Sequence, residues 1–443
     1  MVRRFVHIFR KGENRQVLSN IFSLSGLQLA NTILPLFTVP YIVRVIGPSD
    51  YGTIAFAQAF ATYFVLVITY GFDFTASREI AQCRSDAEQV RKIFWTVIWS
   101  RAFLFALSTI VFAATALFVP QVRANLDVMI VSYLIVIGTV TFPTWFFQGI
   151  EKLGLTAVFN FIVKIIFTAG VFVFLRRREE FIVVPLLLSL GQLVAGIAAL
   201  VYAMIRYVGS VRIPPLREVR TQLREGFTIF ISTVFINFYT VSNTVILAFF
   251  AAHESVGFFA SGSKIVSAVR ALTVVPLAQA MFPHVGRMMK EDRERGVLAL
   301  KKLTFGIIVV MLPASLVLLI FAEPIVRIVL GAQFAPAVNV VRIISFFPLI
   351  IGLSNVFGIQ GLLNLKLDKA FLRIIIIGSV LNLGLNILLD SPLKEVGAAA
   401  SWLITELYIT SALYFALHKA DIRIADLAFY KKWLIEGSDS SEV

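Results

Sequence analysis

The sequence predicts an all-α integral membrane protein, with twelve transmembrane helices forming two pseudo-symmetric six-helix lobes around a central cavity. Three observations predict it: composition, a succession of apolar runs of spanning length, and an internal repeat that splits those runs into halves. Of 443 residues, 58% are hydrophobic and 15% are charged, and the mean hydropathy is +0.86. Soluble domains carry roughly 25% charged residues, so a soluble globular fold is excluded.

A helix needs about 20 apolar residues to cross roughly 30 Å of hydrocarbon. Twelve runs meet that length: 19–44, 51–75, 93–118, 126–149, 153–175, 181–205, 226–251, 255–282, 303–321, 336–363, 370–389 and 396–417. They are numbered below as spans 1 to 12. The expected organisation is a basic arm (1–18), an N-lobe (19–205), a linker (206–225) containing Pro214 and Pro215, a C-lobe (226–417) and a tail (418–443). Span 1 follows the basic stretch MVRRFVHIFRKGENRQ, is too long for a signal peptide and lacks a small-residue cleavage site, so it is expected to remain in the protein. Cys83 is the only cysteine and the four histidines are scattered singly, which gives no disulfide, no metal-ligand spacing and no implied cofactor.

The net charge of +14 does not form the continuous basic patch of a nucleic-acid binder, because the basic residues alternate by loop. Assigned to alternate sides, the arm, the inner loops and the tail hold 27 Lys and Arg, against six on the other side. By the positive-inside rule both termini are cytoplasmic. The RRREE turn at 176–180 runs against that trend.

The repeat appears in two places. IGPSDYGTIAFAQA (46–59) aligns without gaps on AAHESVGFFASGSK (251–264), pairing Gly52 with Gly257 at an offset of 205. FFQGIEKLGLTAVF (146–159) aligns on GIQGLLNLKLDKAF (358–371), pairing Gln148 with Gln360. Transporters are often built from such repeats, with the substrate at their interface. Thr233, Asn237, Thr240 and Thr244 form one polar stripe along span 7 at helical spacing, and Gln28 and Thr32 occupy equivalent places in span 1. Two readings stand for these residues: the lining of a hydrated cleft, or hydrogen-bonding glue between packed helices. Gly47, Pro48, Gly52 and Pro276 weaken helix continuity and are candidate flexible points.

Charge inside the spans carries the functional signal, since intramembrane ionisable residues need a cavity, a partner or a route to the interface. FFASGSKIVSAVRAL (258–272) places Lys264 about 13 Å and Arg270 about 22 Å along span 8. Lys164 in span 5, Arg101 in span 3 and Arg342 in span 10 add further positive charge, and Arg44 and Arg78 lie near span ends. For Arg101 and Arg342 the expectation is that the long side chain reaches back to the interface. Acids are fewer: Glu406 is mid-span and Asp73 near a span end, both candidates for ion coupling. A surplus of buried positive charge suits an anionic substrate, and phosphate or pyrophosphate is what guanidinium and ammonium groups satisfy best. The first lobe has Ala59 and Val65 where the second has Lys264 and Arg270, so the anion is expected nearer the C-lobe. GFFASGSK (257–264) is not a phosphate-binding loop, because Ser263 separates Gly262 from the lysine and no strand-to-helix turn is expected there.

The stretches IGPSDYGTIAFAQAFATYFVLVITYGFDFTASREIAQ (46–82) and WFFQGIEKLGLTA (145–157) resemble the polysaccharide transporter family, the Wzx-type flippases of the multidrug/oligosaccharidyl-lipid/polysaccharide exporter superfamily. The resemblance implies no catalysis and a substrate of sugar repeat units on undecaprenyl pyrophosphate, O-antigen or a similar surface polysaccharide. It implies movement from the cytoplasmic to the periplasmic leaflet of the bacterial inner membrane by alternating access, among membrane lipids and beside polysaccharide polymerase machinery. A multidrug or cation antiporter of the same superfamily is the alternative, although it should present intramembrane carboxylates where here bases dominate. A membrane polymerase or glycosyltransferase would need substantial outer loops, and those here are short turns.

Overall fold

The computed structural model describes residues 14–422 and 424. Residues 1–13 of the basic arm and most of the tail lie outside the described residues, as do the side chains of Gln28 and Thr32. All regular structure among the described residues is helical, and each of the twelve apolar runs falls on helix. Two helices each carry two runs: Asn14–Thr69 holds spans 1 and 2, and Asp368–Lys419 holds spans 11 and 12. Each breaks at one residue of positive φ, Gly47 (φ 78°) and Lys394 (φ 52°). Gly47 adopts this conformation without a Cβ clash, which realises the break expected in IGPSDYG. Eight helices among the described residues are long and apolar enough to cross a membrane, or nine if the bent pair Ile229–Phe235 and Asn237–Phe250 is one span. The count of twelve therefore agrees with helix positions and is not itself established. The chain is a multi-pass membrane protein.

Corresponding helix starts use the same chemistry in both halves. Asp86 caps helix Ala87–Phe118, accepting from Glu88 N at 3.1 Å and Gln89 N at 3.0 Å. Asp292 caps helix Arg293–Ile320, accepting from Glu294 N at 2.8 Å and Arg295 N at 3.4 Å. These helices carry spans 3 and 9, the third of each half, so the repeat extends to caps that the alignment did not reach. Each cap satisfies backbone donors that the first turn leaves open, worth about 1 kcal/mol.

The chain divides into two compact units, Met1–Val234 and Phe235–Val443. The division falls inside helix Leu216–Phe250, beyond the expected linker, because the first turns of that helix dock on the N-terminal unit. Gln222 Nε2 donates to Glu79 Oε1 at 3.0 Å, and Phe230 stacks on Tyr70 with ring centroids 4.4 Å apart. Arg212 and Lys92 both pair with Glu218, at 3.0 and 3.2 Å. Burial pushes the Glu218 carboxyl upward, but these partners outweigh it and hold the group below the usual carboxylate range.

Inside the N-terminal unit, Phe94, Trp145 and Phe146 are fully buried and pack as a cluster, the Phe94 and Phe146 rings edge to face at 5.0 Å. Spans 4 and 6 approach closely because glycines face each other's helix: a Cβ on Gly138 would lie 2.6 Å from the Gln192 carbonyl carbon, and one on Gly196 would meet Gly138 O at 2.5 Å. Gly196→Leu is therefore expected to force these helices apart and destabilise the protein by about 3 kcal/mol or more, seen as a lowered melting midpoint of the detergent-solubilised protein. The core of the C-terminal unit is aliphatic, with Leu300, Ile307, Met311, Ile409 and Leu413 buried together.

The RRREE turn has a local explanation. Arg178 Nε donates to Asp50 Oδ2 at 2.7 Å, and Glu180 Oε2 accepts from the backbone of Arg176 and Arg177 at 2.7 and 2.9 Å. Its basic residues are thus partly matched within the turn, which weakens their bearing on orientation.

Candidate functional site

The intramembrane bases separate into distinct environments. Arg101, on helix Ala87–Phe118, is 2% exposed, which corrects the expectation that it reaches back to the interface. The reason is Pro143. A proline has no N–H, so the helix carrying span 4 stops at Thr141 and the carbonyl of Thr139 loses the donor that position 143 would supply. Arg101 Nη1 takes that place, donating to Thr139 O at 3.1 Å and Phe142 O at 3.0 Å. Its Nη2 lies 3.7 Å from Asp73 Oδ1, and its guanidinium carbon is 5.9 Å from the ring centroids of Phe72 and Trp145. The cation fills a gap in the backbone of a neighbouring helix, and Asp73 is its counter-charge.

The other bases are more accessible. Arg44 is exposed one turn before the Gly47 break, Lys164 is partly buried on helix Leu153–Phe174, and Arg342 is exposed on helix Ala337–Ile343. On helix His253–Glu291, Lys264 is exposed and Arg270 partly buried. The Arg270 charge acts on Glu406 and on the Tyr239 hydroxyl, which lie within its electrostatic reach. Glu406 is 3% exposed and Tyr239 8%. Of the two candidate ion-coupling acids, Asp73 therefore lies beside an arginine of its own unit, and Glu406 lies within the electrostatic reach of one.

The polar stripe of span 7 is partly buried at Thr233, Asn237 and Thr240, and Thr240 Oγ1 donates to Asn237 O at 3.0 Å. Two cavities are formed by described residues of the N-terminal unit. One of about 370 Å³ lies among spans 2, 4 and 6, with Gln58, Thr62, Ser132, Thr139, Ser189 and Gln192 in its wall and no charged side chain. The other, of about 800 Å³, lies by the ends of spans 2 and 3 and under the start of helix Leu216–Phe250, lined by Glu79, Gln82, Lys92, Glu218, Gln222 and Glu225 among others. Amide and hydroxyl groups of this kind can donate to and accept from neutral polyols.

One group of residues was passed over in the sequence because most of its members are neutral. Asn243, Asn382, Asn386, Asp390, Ser401 and Thr405, all in the C-terminal unit, are 0% exposed. The signal was present in LNLGLNILLD (381–390), whose polar residues recur every fourth position. Among the described residues there is no group of three or more His, Cys, Asp or Glu that could hold a metal ion.

The model of a family described as "Polysaccharide biosynthesis protein" matches residues 17–289, more than half of the chain. The chain belongs to that family. It is 34% identical to the "Putative O-antigen transporter" of Escherichia coli (strain K12), over 89% of this chain and 95% of that one. It is 22% identical to the "Probable low-salt glycan biosynthesis flippase Agl15" of Haloferax volcanii, over 90% of this chain and 80% of that one. Among solved structures, the fold is similar to the inward closed conformation of the lipid II flippase MurJ, with a TM-score of 0.72 at 16% identity, covering 95% of this chain and 93% of that one. The all-helical membrane architecture expected from the sequence is thus a known fold.

Proposed function

We propose that this protein is a flippase that carries polyprenyl-pyrophosphate-linked oligosaccharide repeat units, of O-antigen or a similar surface polysaccharide, from the cytoplasmic to the periplasmic leaflet by alternating access. The carrier lipid is undecaprenyl, the location is the bacterial inner membrane with both termini cytoplasmic, and a polysaccharide polymerase consumes the product. No bond is made or broken. Support comes from membership of a polysaccharide biosynthesis family and from relatives named for O-antigen and glycan transport. The observation that carries the reading is Arg270, a partly buried guanidinium about 22 Å along its span, with exposed Lys264 on the same helix.

Arg270, Lys264, Lys164 and Arg44 are the groups proposed to meet the pyrophosphate, while Gln28, Thr32, Thr233, Asn237 and Thr240 meet the sugars. Arg342, exposed at its helix, extends the positive field. Arg101 is committed within its own unit and acts on the site only by holding span 4 in place.

The test is where substrate collects. In a deletion strain, single lipid-linked repeat units should build up on the cytoplasmic face, and the plasmid-borne gene should restore periplasmic delivery. Accumulation on the periplasmic face would instead indicate a polymerase and overturn the reading.

A further inference from the structure

The cavity of about 370 Å³ in the N-terminal unit is polar, uncharged and set inside the membrane-spanning helices. Three helices build its wall, each with a single face. Gln58, Thr62 and Val65 fall at i, i+4 and i+7 on span 2, while Ser132 with Thr139 and Ser189 with Gln192 share one face of spans 4 and 6. Gln58 and Gln192 lie about 10 Å and about 16 Å of helix rise into their spans, at hydrocarbon depth.

That wall carries more polar groups than it satisfies. Ser132 Oγ is buried with no hydrogen-bond partner, in a residue that is 3% exposed. Among the described residues nothing bonds to the side-chain amide of Gln58 or of Gln192. The Thr62 and Thr139 hydroxyls donate to their own helices, to Gln58 O at 2.8 Å and Ile135 O at 3.0 Å, and each hydroxyl oxygen can still accept. Polar groups removed from bulk water are nearly always matched, so the cavity calls for an occupant that both donates and accepts. A lipid acyl chain does neither. An ion would need a counter-charge in the wall, and there is none, since Arg101 reaches Thr139 only at its backbone carbonyl.

We propose that this cavity binds one neutral sugar ring of the carried oligosaccharide, with Gln58, Gln192 and Ser132 bonding its hydroxyls and Val65 and Leu188 against its C–H face. Pockets for small molecules measure about 300–1,000 Å³, and one near the lower end suits a single ring and not a chain. The internal repeat supplies a second argument. At the offset of 205, Gln58, Thr62 and Val65 correspond to Ser263, Ser267 and Arg270. The same face of the second span of each half therefore carries a cation in the C-terminal unit and none in the N-terminal unit, and the uncharged face suits the uncharged part of the substrate. The identity of the occupant rests on the flippase reading above, because a sugar reaches this depth only on a lipid carrier.

The test uses purified full-length protein in detergent and two probes, undecaprenyl pyrophosphate and the undecaprenyl-pyrophosphate-linked repeat unit extracted from the deletion strain. Equilibrium binding of each is measured, and the wild type is expected to bind the glycosylated lipid more tightly. Gln58→Leu combined with Gln192→Leu should lower that preference about tenfold or more, the scale of two lost hydrogen bonds, and leave the affinity for undecaprenyl pyrophosphate unchanged. It should melt no lower than the wild type, because the amides it removes have no protein partner. Should the double variant fail to fold, Ser132→Ala, which removes only a hydroxyl, should lower the preference about threefold. Equal wild-type affinity for the two lipids, or an undiminished preference in either folded variant, would overturn the proposal and leave the flippase reading standing. Equal weakening of both lipids in the double variant would show a purely structural role and overturn it as well. Wild-type protein that binds neither lipid would instead sink the flippase reading, and this assignment with it.

Discussion

Replacing Arg101 by alanine should remove most of the protein from the membrane. The substitution takes away the donor that serves Thr139 O and Phe142 O, and it leaves Asp73 without its counter-charge. Leaving a buried acceptor unmatched costs about 1–3 kcal/mol and more where a charge is involved, and the Thr139 carbonyl lies where no bilayer water can replace the guanidinium, whereas Phe142 O keeps the Thr144 N–H at 3.0 Å. Net stabilities are of order 5–15 kcal/mol, so one substitution consumes a large part of the margin. Arg101→Lys should rescue only partly, since an ammonium is a point charge and lacks the planar fork that serves two carbonyls and a carboxylate together. Membrane abundance and the melting midpoint of solubilised protein check this. Wild-type levels for Arg101→Ala would show that the Pro143 break is satisfied in another way.

Arg270→Ala should give the opposite pattern, a protein present in the membrane that no longer exports polysaccharide. Hydrogen bonds to charged groups are worth about 1.5–3 kcal/mol each, so export should fall at least about tenfold, with Arg270→Lys retaining part of the activity. The proximity of Glu406 complicates the single variant, because an unpaired carboxylate that is 3% exposed could itself disturb folding. The double variant Arg270→Ala with Glu406→Gln removes both charges and separates the two roles. If Arg270 meets the substrate anion, the double variant is abundant and still inactive. If Arg270 serves only as the partner of Glu406, the double variant recovers export and the anion role fails.

Arg101 and Arg270 also mark how far the sequence could be read. Both are arginines well inside apolar spans, and depth along the helix ranked Arg270 as functional and sent Arg101 to the interface. Depth could not place Arg101, because its partners Thr139, Phe142 and Asp73 come from two other helices and its purpose is set by Pro143, 42 residues away. The Gly47 break was legible because glycine beside proline is a local signal. Glu406 was legible as a buried acid, but its arginine was not, since helix-to-helix proximity has no linear trace.

The sequence by itself determined the membrane class and the places where the long helices fall, because hydrophobic length and helical period are local properties that a bilayer enforces. It also carried the excess of intramembrane base over acid. Only the tertiary structure decided which charges are spent within their own unit, and that Asn382 and Asn386 both donate to the side-chain oxygen of Asn243. The physical reason is that a lone asparagine in an apolar helix looks like packing glue until its neighbours are known. Its donors and acceptors are satisfied or stranded by residues far away in the chain, as Asn382 is from Asn243, 139 positions distant.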